Sequence, residues 1–469
     1  MDGNNLSRER QGGEKISRRD FLRRSGYTGL AIAGGGLAAA CGAGGSEGNG
    51  TSGNTAVQGG PAATTGSSSG GTGGASGAVT FTVWGDAEAA AGYKTLVDAF
   101  KKEHPNIDLR IQPVPGESWA GFFDAVSTRI AGGQIPDVIR VATEGQRLFT
   151  SRGLVEPLDP YIDTDRGELQ EFFDDVHPNL MEWTRSLSST DGKTYYLPHG
   201  FNTMCMWYSK PLFQQAGLKE PTDDWTWNDF LYAAEKVTKP GRVFGMHMPP
   251  AYFSGAMPWL LTNGASTMNA DWTKSTVADP KAIQAANFMR SLIEKGISPK
   301  PGGEYDAFGA MAQGRLAMFG AGRWPTGAMR ELNYVDKIGI VAWPQKERKG
   351  SPVGWDAHPI MKDSQNKDAA WEFVKFLASK RAQEIEVLQG GATVPPRRSV
   401  AQSEAFLGNA PEGMTKLYEA LSYATPIPSP NKGNVIERDI IDTFTQILAG
   451  NAKPEQALKE LDQKIQANL

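Results

Sequence analysis

The chain has 469 residues, of which 39% are hydrophobic and 21% charged, with 12 Trp, 20 Phe and 12 Tyr; this excludes a disordered chain and supplies cores for about two units of ~150–200 residues each. Its formal net charge is −4, and residues 1–40 carry seven Arg/Lys against four Asp/Glu, so the remainder is mildly acidic. Without a Lys/Arg stripe it lacks the electrostatic footprint of nucleic-acid binding.

Taken in chain order, the first feature is an address. Ser17-Arg18-Arg19-Asp20-Phe21-Leu22-Arg23 matches the twin-arginine export signature, and a weakly apolar, Gly-rich stretch follows over residues 29–40. That stretch is too short for a bilayer span, which takes roughly 20 apolar residues. Leu37-Ala38-Ala39-Ala40-Cys41 reads as a lipobox, with Ala38 where Leu is commoner. Residues 1–40 are therefore the expected signal peptide and Cys41 the acylated mature N-terminus, its lipid holding the protein to the outer face of a membrane. Residues 41–78 are almost wholly Gly, Ser, Thr, Ala and Asn, a flexible tether. Within it Gly66-Ser67-Ser68-Ser69-Gly70 fits the serine-hydrolase pattern, yet low-complexity sequence supplies no strand-to-helix elbow for a nucleophile.

From residue 79 the pattern becomes that of a folded domain. Residues 79–85 alternate as a strand, 88–103 show apolar residues at helical spacing, and 107–113 return to alternation. A helix over 118–131, a short buried strand over 137–141 and a helix over 144–152 continue the series. A second unit starts near Phe201, with strands at 205–209 and 244–248 and a helix at 227–237. Later helices are expected over 280–295, 307–313, 367–388, 435–449 and 454–467. Strands alternating with helices of this length predict an α/β fold. In such sheets ligands bind beyond the carboxyl ends of the strands, which points to the loops carrying Asp86, Glu117, Trp119 and Glu144.

Further motifs now combine. Tyr195-Tyr196-Leu197-Pro198 leads to Trp207-Tyr208-Ser209-Lys210-Pro211-Leu212-Phe213, then to Ala216-Gly217-Leu218 and Asp224-Trp225-Thr226-Trp227-Asn228-Asp229-Phe230. Pro258-Trp259, Gly314-Arg315-Leu316-Ala317-Met318, Gly322-Arg323-Trp324 and Gly390-Gly391-Ala392-Thr393-Val394-Pro395 follow. In this order they resemble the extracellular solute-binding proteins of family 1, the maltose-binding-protein-like sugar receptors of ATP-binding cassette (ABC) importers. The resemblance runs from about residue 79 to the C-terminus. It implies a periplasmic-binding-protein-like fold of two α/β lobes joined by a hinge, with the ligand cleft between them. It places the chain crossings near residues 199–203, 342–346 and 391–395, giving an N-terminal lobe of 79–200 plus 346–392 and a C-terminal lobe of 201–345 plus 393–469. It further implies a monomeric receptor that delivers a mono- or oligosaccharide to ABC permease subunits, without a cofactor, metal or catalytic residue of its own.

A sugar needs flat aromatic surfaces and short polar side chains. Trp84, Trp119, Trp259, Trp324 and Trp355 fall in predicted loops or at strand ends and are the stacking candidates, with Trp324 first because the family's Gly-x-Trp turn presents an aromatic to the cleft. Asp86, Glu117, Glu144, Asn202, Arg323 and Asp356 are the polar candidates. Only Arg323 among these is basic, which favours a neutral sugar over a sugar phosphate, whereas Asp86, Glu117 and Glu144 keep a polyamine in play. A secreted glycoside hydrolase is the enzymatic rival, but no carboxylate pair stands out among 52 acidic residues. The histidines at 104, 177, 199, 247 and 358 have no metal-ligand spacing. Asp191-Gly192-Lys193-Thr194 resembles the end of a P-loop, but Leu187 stands where its first Gly belongs.

Overall fold

The computed structural model describes residues 75–116 and 118–469. The signal peptide, Cys41, nearly all of the tether and Glu117 lie outside them. The first layer is a parallel three-stranded sheet in the order β2-β1-β3, built from β1 (Gly77–Trp84), β2 (Ile107–Val114) and β3 (Val138–Ile139). Val79, Phe81 and Val83 alternate along β1 as the sequence requires and are fully buried. Two helices connect β1 to β2, α1 (Ala87–Gly92) and α2 (Lys94–Glu103), where the sequence predicts one over 88–103. The break falls at Tyr93, directly after Gly92, a weak helix former. It turns the Tyr93 ring edge-on to Phe81, with centroids 5.6 Å apart.

The expected strand over 137–141 also divides. After α3 (Trp119–Ala131) and β3, the chain passes through Arg140 into β4 (Val141–Ala142), which joins a different sheet. The Arg140 N–H still donates to Thr82 O of β1 (2.9 Å), so this residue stands at the seam of two sheets. Helix α4 (Thr143–Ser151) follows, and three further helices, α5 (Asp159–Thr164), α6 (Arg166–Asp175) and α7 (Pro178–Leu187), complete this part. The sequence reading has no element over 159–187. Two of these helices carry Pro in their first turn, where its missing N–H costs nothing.

The second sheet is the structural bridge. Strand β5 (Pro198–Thr203) and β6 (Cys205–Ser209) come next in the chain, and β5 runs antiparallel to β9 (Ser351–Ala357), with Phe201 opposite Trp355 and Asn202 opposite Gly354. β9 also pairs with β4 and, in parallel, with β10 (Ala424–Pro426). Phe201 further bridges to Val394. This sheet therefore gathers segments that are distant in sequence. The third sheet is antiparallel, β7-β6-β8, with β7 (Met318–Ala321) and β8 (Ile338–Val341) flanking β6. Cys205 is fully buried in it, and burial pushes its thiol pKa up, so it behaves as a small hydrophobe.

Around the third sheet pack a helix at Trp227–Val237, held at its start by a reciprocal Thr226–Asp229 capping box, and the helices Pro280–Glu294, Gly433–Ala449 and Pro454–Asn468. The residues predicted as a strand over 244–248 make only single bridges, Phe244 to Leu316 and His247 to Phe319. The expected long helix over 367–388 is two, Lys367–Ala378 and Lys380–Leu388. Ser379 stops the first and caps the second, its hydroxyl accepting from Ala382 N (3.2 Å). The result is two α/β lobes and a bridging sheet, the fold that the motif order implies.

Candidate ligand-binding site

Arg140 organises the site. Its guanidinium donates to Asp356 Oδ2 through Nε (2.6 Å) and Nη2 (2.5 Å), and through Nη1 to the Tyr93 hydroxyl (3.4 Å). Burial pulls the Arg140 pKa down, but Asp356 and Tyr93 raise it by more, so it stays above the ordinary arginine value. Burial likewise holds the Tyr93 phenol above its usual pKa. Asp356, the penultimate residue of β9, is 3% exposed, and its second oxygen, Oδ1, is buried without a hydrogen-bond partner.

On one side of Arg140 lies a cavity of about 180 Å³, partly open to solvent. Its walls are the α1–α2 break with Tyr93, the two histidines His199 and His358, Arg323, and the stretch from Gln383 to Pro395. His199 Nε2 meets Glu386 Oε2 at 2.6 Å, while its Nδ1 is buried without a partner. Burial lowers the His199 pKa, but Glu386 raises it by more, so its folded pKa lies above the free value. His358 stands edge-on against His199, centroids 4.3 Å apart, and burial drives its pKa well below the usual value, leaving it neutral. Gln383 is 1% exposed, and neither its amide oxygen nor its nitrogen has a partner.

Arg323 is held as a clamp. Its guanidinium donates to the carbonyls of Gly391, Thr393 (3.2 Å) and Val387 (3.2 Å), and its Nε is buried without a partner. Burial, reinforced by Arg330, lowers its pKa to about 10. Asn202 supports it from behind: Oδ1 accepts from Arg323 N (2.9 Å), and Nδ2 donates to Ala392 O (3.2 Å). A Cβ on Gly322 would come within 2.4 Å of Asn202 Oδ1, and one on Gly200 within 2.3 Å of Thr393 Oγ1, so both glycines permit a close approach no other residue allows.

The other side of Arg140 is aromatic. Its guanidinium carbon lies 5.7 Å from the Trp119 ring centroid, Trp119 meets Trp84 at 4.8 Å and stacks on Phe123 at 5.6 Å. Trp84 is fixed by its indole N–H donating to Gly116 O (2.8 Å). Glu144 at the start of α4 is repelled by Asp356 and chiefly desolvated, which raises its pKa to about 7. Glu437, from the helix Gly433–Ala449, is raised to about 8 by burial and by Glu144. Trp324 is half-buried beside Phe253, centroids 6.4 Å apart.

Of the residues singled out from the sequence, Arg323 lines the cavity, Asp356 borders it through Arg140, and Asn202 positions Arg323. Trp84 and Trp119 connect to it only through Arg140, and Glu144 and Trp324 are not part of its wall. Asp86 is exposed and caps α1, its Oδ1 accepting from Glu88 N and Ala89 N, and Glu117 is outside the described residues. Two expectations are corrected. Trp259, expected in a loop, lies in the helix Met257–Thr262 with no exposure, enclosed by Trp227, Phe230, Phe288 and Trp343. Trp355 is 2% exposed inside β9 against Trp183. Both are core residues: four rings enclose Trp259, and Trp355 stacks on Trp183. Tyr93, Arg140, His199, His358, Gln383 and Glu386 escaped sequence reasoning. Arg140 alone left a signal: a charged residue interrupts an apolar run, Val138-Ile139-Arg140-Val141, and such a residue is buried only when paired.

Two α/β lobes, a bridging sheet and a polar cavity at that sheet define a two-lobed binding protein. The chain belongs to the bacterial extracellular solute-binding proteins, whose family model matches residues 84–384. It is similar to a binding protein of Brucella abortus (strain 2308), 27% identical over 391 residues, 80% of this chain and 89% of the relative. It is 26% identical to the mannitol-binding protein of Pseudomonas aeruginosa over 410 residues, 78% of this chain and 88% of the relative. Among solved structures, the ABC substrate-binding protein of Listeria monocytogenes in complex with cycloalternan superposes with a TM-score of 0.72 at 23% identity, covering 83% of this chain and 98% of that one. Among the described residues no helix is long and apolar enough to cross a membrane.

Proposed function

We propose that this chain is the receptor of an ABC importer and captures a carbohydrate beside Arg140. The observation that carries the reading is the cavity wall, which holds both donors and acceptors, several of them without a protein partner: His199 Nδ1, Arg323 Nε and both ends of the Gln383 amide. A hydroxyl donates and accepts at once, so a polyhydroxylated ligand satisfies such a wall, whereas a phosphate only accepts and an ammonium only donates. Arg140 is neutralised by Asp356 and His199 faces Glu386, so the wall is not the Arg/Lys cluster that a sugar phosphate calls for. The names of the Pseudomonas and Listeria relatives support a sugar or polyol ligand. The relatives are binding proteins, and we assign this chain binding and docking to a permease, with no catalytic step.

The finer parts of the reading come from the sequence. Residues 1–40 direct export by the twin-arginine route, Cys41 carries the lipid, residues 41–78 tether a monomer to the membrane, and the lobes divide at the boundaries given above. A thermal-shift screen of the full chain against saccharides, polyamines and sugar phosphates tests the ligand class. Ligand at 100 times its dissociation constant adds roughly 2.7 kcal/mol to the native state. A saccharide that raises the melting temperature and is not consumed over hours supports the receptor; one that is consumed revives the hydrolase, and a polyamine or phosphate hit overturns the sugar.

A further inference from the structure

The cavity's dimensions and lining narrow the ligand beyond carbohydrate. At about 180 Å³ it falls short of the ~300–1,000 Å³ typical of clefts for drug-sized ligands, which favours a small ligand. Its lining also lacks the surface a ring requires. A pyranose presents C–H patches that stack on flat aromatic faces, yet every Trp lies outside this wall: Trp84 and Trp119 beyond Arg140, Trp324 against Phe253. The aromatic rings that do line it are engaged with one another or with the core, His199 with His358 and Tyr93 with Phe81. The apolar lining is aliphatic, from Leu96, Val387 and Pro395. Against this stand polar groups on three separate elements, His199, Arg323 and Gln383, each with an unpartnered atom and each more than nine-tenths buried.

We infer that the ligand is an acyclic polyol, a short sugar alcohol of four to six carbons, taken extended along the wall from Gln383 past His199 to Arg323. Such a chain carries a hydroxyl on every carbon and no ring face, which matches a wall dense in hydrogen-bonding groups and poor in stacking surface. The inference rests on the receptor reading and names the ligand of that same site.

Isothermal titration calorimetry on the full chain with erythritol, ribitol and mannitol, and with ribose, mannose and maltotriose, tests it. The expected result is that one alditol binds at least ten-fold more tightly than any cyclic sugar in the set. A ring or the trisaccharide binding more tightly overturns the inference and leaves the carbohydrate receptor standing; no binding by any of the six removes both. Gln383→Leu should weaken the alditol at least ten-fold while the ligand-free melting temperature stays within a few degrees, because the unpartnered amide is lost. Glu386→Gln, which keeps the side chain's volume, is the second variant should Gln383→Leu fail to fold, and it too should weaken the alditol. Unchanged affinity in a folded variant of either residue overturns the placement.

Discussion

The two flanks of Arg140 solve opposite problems. On the side of Trp84, Trp119 and Phe123, rings cover rings, and the geometry is set by packing. On the side of His199, Gln383 and Arg323, buried polar atoms stand without protein partners, at a cost of about 1–3 kcal/mol for each one left unmet. A fold tolerates such a deficit where something other than protein completes it. On the function proposed above, the aromatic flank supports the site and the polar flank receives the ligand; Arg140, which lies over Trp119 and also lines the cavity, couples them.

The largest effect should come from cutting that coupling. Asp356→Ala leaves Arg140, whose side chain is 25% exposed, without its counter-ion; water reaches part of the guanidinium, so the cost should fall at the lower end of the ~3–5 kcal/mol of a broken buried pair. Urea denaturation should show the loss, and ligand binding should vanish with it. The double variant Arg140→Met, Asp356→Leu removes both charges together and should be clearly more stable than Asp356→Ala. A double variant no better than the single would mean that the pair is not the link between the flanks.

Smaller effects separate the flanks. Trp119→Ala removes a half-buried ring that touches Trp84, Phe122 and Phe123, and should cost about 2 kcal/mol of stability while changing affinity less than three-fold. The opposite pattern, stability kept and affinity lost, would move the ligand to the aromatic flank. Gly322→Ala probes the clamp: its Cβ would press on Asn202 Oδ1 at 2.4 Å and on the Trp324 ring at 2.6 Å, an overpacking worth about 1–3 kcal/mol. Since Asn202 holds Arg323 N, affinity should fall as well, and calorimetry on the folded variant reads it.

The sequence carried the fold further than the site, for a physical reason. Strand alternation in β1 and β2 and helical spacing over 227–237 are local, and local pattern states an element's identity. The breaks at Tyr93 and Ser379 and the switch of sheets at Arg140 are decided by tertiary contacts, and those three places shape the cavity or its helix. Choosing tryptophans by their Gly and Pro neighbours could not tell Trp119 from Trp259. Gly116 stands near the one and Pro258 beside the other, and what differs is the ring of Trp227, Phe230, Phe288 and Trp343 that closes on Trp259 from remote segments. His199, Gln383 and Glu386 are invisible singly; only the bridging sheet and the helix Lys380–Leu388 bring them to one wall.

The smallest expected effect is a slope with pH, and it arises at two carboxyls outside the cavity wall. Glu144 and Glu437 come from different helices, and the Glu437 Oε2 is buried without a partner. Their pKa values are raised to about 7 and about 8, chiefly by burial and then, for Glu437, by Glu144. Arg438 lowers Glu437 somewhat, but it is exposed and ion-paired with Asp124 at 2.7 Å; Asp356 adds to the raising of Glu144. Tyr252 faces both and stays neutral in this range, while Arg147, beside them on α4, lies over Trp272. The folded protein thus keeps protons that the unfolded chain releases above its ordinary carboxylate pKa. The pair's contribution to stability is fully present in acid and is lost as pH rises through 7 to 8. His199 has the same sign over its own range, and His247 and His358, whose pKa values are lowered, have the opposite one, so the total curve mixes them. The difference between the native chain and Glu437→Gln isolates the pair: urea midpoints measured from pH 5 to pH 8.5 should converge at low pH and separate at high pH, with the variant the more stable there. Parallel curves would show that Glu437 titrates alike in the folded and unfolded chain, and that the pair adds no slope of its own.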